Sequence, residues 1–232
     1  EGARTLSARG RLAIAACPFV QEPPRIDGRL DDWPRGANNS AADFRLVRGR
    51  AQPEGAPDAD RPTLPTRAWF CHDGERFYAV IWCRLAPDEP PLWQADNDVP
   101  IDGAIPWGQD VVELLISPEN LLDGSAGDIY CLQVKPSGLL VTLRGCRTEP
   151  PLARSEPWVC DARAAVGRTQ DAWVVELSVP LRDLGRGGTT ARLWGLNVTR
   201  LDARRGEYSS WSGARGHCYS PRRLGNLLML WS

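Results

Sequence analysis

Two short runs crowded with aromatic and β-branched residues, Ala68 to Cys71 and Phe77 to Cys83, flank an Asp73-Gly74 pair. Such a pair between apolar runs is a strong hairpin signal, because Gly takes the positive φ that a tight turn demands. A turn centred there sets Cys71 opposite residue 78, which argues against a bridge from Cys71 to Cys83. Pro136-Ser137-Gly138 marks a second hairpin, between Tyr130 to Val134 and Leu139 to Leu143. Further strand patterns cover Val111 to Ile116, Trp173 to Val179, Leu193 to Arg200 and Asn226 to Trp231, with one helix-like turn at Leu181 to Leu184. Short strands with turn-rich connections predict an all-β chain folded as an antiparallel β-sandwich, a two-sheet jelly-roll-like or immunoglobulin-like architecture.

The 232 residues suit one domain. Residues 1 to 25 read as an irregular lead-in packed on that domain, with a strand over Leu12 to Ala16, and residues 26 to 232 as the sandwich. The Pro- and Gly-rich stretch 49 to 65 reads as an exposed loop within it. With 28 basic and 29 acidic side chains, the net charge of -1 gives no general attraction to polyphosphate or to an anionic bilayer. Nucleic acid is therefore not an expected partner, and no apolar run approaches the roughly 18 residues of a membrane span. Seven cysteines without a C-x-x-C pair speak against a zinc cluster, and their odd number leaves at least one thiol unpaired.

Alternation assigns faces. Val112, Leu114 and Ile116 point one way, Glu113 the other, in phase with Gln109 and Trp107. Leu132 and Val134 are likewise opposed by Gln133 and Lys135, Val175 and Leu177 by Glu176, and Trp194, Leu196 and Val198 by Asn197 and Thr199. A polar set of this kind is either an ordinary solvated sheet face or a ligand surface. Amide, carboxylate and ammonium groups beside a Trp suit a neutral polyhydroxylated ligand, whose hydroxyls take polar partners and whose C–H face takes an aromatic platform. Of the ten Trp, those at 69, 82, 173, 194 and 231 fall in strands and read as core. Those at 93, 107, 158 and 211 lie near strand ends and loops.

Catalysis is hard to build from these residues. His72 sits beside a hairpin turn and His217 in a late loop, neither in a catalytic motif. Asp110 and Glu113 are three apart on a strand and so face opposite ways, which leaves Asp110 to hold a backbone turn. Asp96, Asp98 and Asp102 offer oxygen ligands at alternating positions, suited to calcium, although the full EF-hand pattern is missing.

An ordered series of segments resembles the family 9 carbohydrate-binding modules: IDGRLDDW at 26 to 33, AWFCHDGERFYAVIWC at 68 to 83, WGQDVVELLISP at 107 to 118 and YCLQVKPSG at 130 to 138. WVVELSVPLRDLG at 173 to 185, LWGLNVTR at 193 to 200, and SWS with LGNLLML at 210 to 230 complete it. The resemblance implies a β-sandwich that grips a sugar-chain end between two aromatic rings. By position it puts the first platform on Trp107, the hydroxyl-binding carboxylate on Glu113 and the next-strand pair on Gln133 and Lys135, where sugar-binding members carry Arg and Asn. The second aromatic falls on Cys218 by strict alignment, or on Tyr219 after a one-residue shift. It further implies a non-catalytic domain, secreted to an extracellular or periplasmic location, accompanying a glycoside hydrolase in the same or a longer chain, often with structural calcium. Two alternatives stand beside it: a haem-binding sandwich with Met229 and a His or Lys135 as axial ligands, and a structural module of a larger surface protein.

Overall fold

The computed structural model describes residues 13–48, 60–93, 108–119, 128–145, 156–185, 190–213 and 218–231. Fourteen strands are formed by them: β1 Ile14–Pro18, β2 Ser40–Ala41, β3 Arg45–Arg48, β4 Thr66–His72, β5 Arg76–Arg84, β6 Val111–Ser117, β7 Ile129–Val134, β8 Leu140–Gly145, β9 Glu156–Pro157, β10 Arg163–Arg168, β11 Ala172–Pro180, β12 Leu193–Asp202, β13 Glu207–Ser210 and β14 Gly225–Leu230. They build two sheets. The larger has nine strands in the order β1-β14-β12-β6-β7-β8-β9, with β13 paired along the rest of β12 and β3 paired with β13; the smaller runs β10-β11-β5-β4-β2. The all-β sandwich expected from the sequence is the observed fold.

The first hairpin forms in the expected register, with Cys71 opposite Tyr78. Gly74 adopts φ +90°, and the Asp73 carboxylate accepts from the Glu75 and Arg76 backbone N–H groups at 2.9 and 2.7 Å and from the Tyr78 hydroxyl at 2.7 Å. In the second hairpin Gly138 adopts φ +89° and its N–H reaches the Lys135 carbonyl at 2.9 Å. The turn at Leu181–Leu184 is a single turn of 3-10 helix.

Between the sheets, Val112, Leu114, Ile116, Leu132, Val134, Val175, Leu177, Trp194, Leu196 and Val198 meet in one core, as their alternation required. Three expectations need correction. One strand pair is parallel, β1 with β14, so the sandwich is not antiparallel throughout. Trp158 and Trp211 belong to the inter-sheet core, although both lie outside strands. Trp69 and Trp82 instead lie half-buried on the outer side of the smaller sheet, since their phase is that of Val80.

That outer side also receives residues 26–33. Glu176 of β11 accepts from the backbone N–H groups of Asp27 and Gly28 at 2.7 and 2.6 Å and from the Trp33 indole N–H at 2.7 Å. Glu176 is therefore a clamp for the IDGRLDDW segment, on a different sheet from Glu113. Alternation showed that each points away from the core, but not that β11 and β6 lie in separate layers.

Candidate functional site

The outer face of the nine-stranded sheet carries the polar set. Register aligns Val141, Gln133, Glu113, Thr199 and Ser210 as one row across β8, β7, β6, β12 and β13. Side chains directly opposite on neighbouring strands lie close enough to bond. Glu113 uses this fully. Its Oε1 accepts from Gln133 Nε2 at 2.8 Å and from the Tyr219 hydroxyl, and its Oε2 from the Thr199 hydroxyl at 2.6 Å and the Tyr208 hydroxyl at 2.7 Å. Two donors on each oxygen match the four acceptor sites of a carboxylate.

Glu113 is 1% exposed, and Gln133 and Lys135 are 4% and 3% exposed. The face is thus no open solvated surface. A second apolar cluster surrounds it, with Val111, Leu115, Cys131, Leu201 and Cys218 buried and Tyr219 and Leu224 partly so. Burial, then the Glu113 charge, raise the pKa values of Tyr208 and Tyr219 well above the ordinary phenol value, so both stay protonated and donate. Burial first, with Glu113 next, does the same to the Cys131 thiol.

Of the residues expected to bind a ligand, the structure brings Glu113, Gln133 and Tyr219 together by direct hydrogen bonds. Lys135 follows β7 at the start of the second hairpin, where its N–H donates to the Leu139 carbonyl at 3.1 Å. At the position left open between Cys218 and Tyr219, Cys218 packs into the apolar cluster and Tyr219 reaches the polar row. Trp107, and Asp96, Asp98 and Asp102 with them, lie outside the described residues. Among the described residues no cluster of three or more His, Cys, Asp or Glu is placed to hold a metal ion.

Sequence reasoning missed Tyr208. Its strand, β13, is four residues long, and no alternating run announces it. Asn197 and Ser210 extend the row through a 2.9 Å bond from Asn197 Nδ2 to the Ser210 hydroxyl. Asp110 holds backbone as expected, accepting from the Leu92 and Ala203 N–H groups at 3.1 and 2.8 Å. Met229 packs in the inter-sheet core, and Lys135 is buried just beyond the end of β7. His72 is also fully buried, with Nε2 3.1 Å from the Leu230 carbonyl.

Solved structures share this fold. A family 9 carbohydrate-binding module from Caldicellulosiruptor kristjanssonii in complex with glucose aligns with a TM-score of 0.55 at 16% identity, covering 94% of this chain and 97% of the other. The module from the same organism in complex with cellotriose gives 0.56 at 14% identity, with 94% of each chain covered. A candidate carbohydrate-binding protein from Bacteroides uniformis gives 0.61 at 14% identity, covering 94% of this chain and all of the other, 100%. No protein-family model and no curated protein matches the chain. At these identities the likeness is one of fold.

Proposed function

We propose that this chain is a non-catalytic carbohydrate-binding domain that takes a sugar, or the end of a polysaccharide chain, at the outer face of its nine-stranded sheet. The observation that supports it best is Glu113, a carboxylate that already gathers three hydroxyl donors, within a fold whose solved examples hold glucose and cellotriose. A pyranose offers the same donors in the same chemical form. Gln133 and Lys135 supply further polar contacts, and Trp107 the platform for the C–H face of the ring.

The same reading takes the domain as secreted, to an extracellular or periplasmic location, and as a companion of a catalytic domain in the same or a longer chain. It includes structural calcium on Asp96, Asp98 and Asp102, which a thermal melt with and without a chelator checks.

The test is a glycan array followed by calorimetry with the best ligand, on parent and Trp107→Ala. Loss of an aromatic platform costs about 2 kcal/mol or more, which at the weak affinity of a single sugar site removes measurable binding. The melting temperature is expected to stay within a few degrees, as for a residue at the rim of a site. A parent protein that binds no glycan would overturn the reading, and an absorption band in the haem region would replace it.

A further inference from the structure

Four donors meet on Glu113, and they are not alike. Gln133, Thr199 and Tyr208 are carried by β7, β12 and β13 and are at most 5% exposed. Tyr219 lies outside any strand, two residues before the short helical turn at Pro221–Arg223, and it is the partly exposed one. Among the four, Tyr219 is thus the donor held by no strand and the least covered, and so the one most readily displaced from the carboxylate. With two donors on each oxygen, no acceptor site is left for a newcomer.

We infer that Tyr219 sets the affinity of this site: its phenol holds on Glu113 Oε1 the place that a ligand hydroxyl takes, and binding exchanges one O–H donor for the other. The inference rests on the carbohydrate reading above. Exchange of like for like gains little, since the bond that forms replaces an equivalent bond that breaks. Removing the internal donor leaves a buried acceptor unsatisfied in the free protein, and a ligand hydroxyl then relieves it. Tyr208 provides the contrast, because its hydroxyl makes the same kind of bond from a fully covered position.

The experiment compares full-length parent, Tyr219→Phe and Tyr208→Phe on a glycan array, with calorimetry on the best ligand and on cellotriose. Tyr219→Phe is expected to bind at least threefold tighter than the parent, and Tyr208→Phe no tighter. Unchanged or weaker binding by a folded Tyr219→Phe, with the parent still binding, overturns the exchange and leaves the carbohydrate reading standing. If none of the three proteins binds any glycan, the exchange and the carbohydrate reading fall together. A second measurement needs no variant to fold: in protein with ring-labelled tyrosine, ligand should shift the Tyr219 resonance of the parent more than that of Tyr208. A Tyr219 resonance that stays in place is evidence against displacement.

Discussion

Glu113 shows how far a single residue can be read before its neighbours are known. Alternation alone turned it away from the core and into phase with Gln133, and both statements hold in the fold. Its burial was not legible, because the covering residues Tyr208, Cys218 and Tyr219 come from a short strand and a loop about a hundred residues later, with no periodic signature. A carboxylate so placed is also structural. Glu113→Ala removes the acceptor of three buried donors and of the partly buried Tyr219 hydroxyl, and since each unsatisfied buried group costs about 1–3 kcal/mol, we expect a loss of about 3 kcal/mol or more in urea unfolding. The thiols give a second test at this scale. All six described cysteines are free. Burial pushes Cys71 and Cys83 up to about 12 and Cys218 up to about 11, leaving almost no reactive thiolate at neutral pH. Cys160 is the one of the six that is not buried. Under native conditions a thiol reagent followed by mass spectrometry should therefore modify Cys160 before the other five.

At the scale of elements, the strands with apolar alternation were legible within a residue or two, and those without it were not. Arg163–Arg168 forms β10 with a sequence of Arg, Ala, Val and Gly that carries little strand propensity. It is fixed by pairing with β11 and by the segment laid over it. That segment explains the IDGRLDDW motif in physical terms. Gly28 adopts φ +85°, and its backbone touches Gly167 so closely that a Cβ on Gly167 would lie 1.8 Å from the Gly28 carbonyl oxygen. The contact admits no side chain, and Glu176 then ties the loop down through Asp27, Gly28 and Trp33. Gly167→Ala is expected to lift the segment off the sheet and cost more than about 2 kcal/mol, the scale of overpacking in a closed contact. Trp33→Phe keeps most of the buried ring but removes one bond to a carboxylate, and should cost about 1.5–3 kcal/mol. If Gly167→Ala proved neutral in denaturant unfolding, the close approach of the two backbones would be of no consequence to stability.

Across the whole molecule, what the sequence concealed was how strands are shared between layers and where the layers are joined. His72 lies at one such junction. Its ring is fully buried at the end of β4, 4.6 Å from the Trp231 ring and 5.8 Å from that of Phe19, centroid to centroid. Phe19 N–H donates to the Leu230 carbonyl of the larger sheet, and Val20 N–H to the His72 carbonyl of the smaller one. The Leu230 carbonyl also faces His72 Nε2 at 3.1 Å, so that nitrogen carries the hydrogen, while Nδ1 has no partner among the described residues. Protonation would place a second N–H where nothing accepts it. Burial accordingly lowers the pKa of His72, against the smaller upward pulls of the Leu230 carbonyl and Asp73. A group whose folded pKa is depressed binds its proton more readily when unfolded, so its stabilisation is complete above the ordinary histidine value of about 6.5. It is lost as the pH falls from there toward the folded value, by up to about 1.4 kcal/mol per pH unit for one proton. Glu176 and Asp110, whose values are raised mainly by burial, act in the opposite sense, from the ordinary carboxylate range upward. Urea unfolding at half-unit steps from pH 7.5 to 5 should show a plateau and then a decline beginning near 6.5. His72→Gln keeps a donor for the Leu230 carbonyl and cannot take up the proton, so the decline should flatten in that variant. A parent protein equally stable at pH 7 and pH 5 would mean that the junction accommodates the charged ring and that the two layers are not held together by its neutral form.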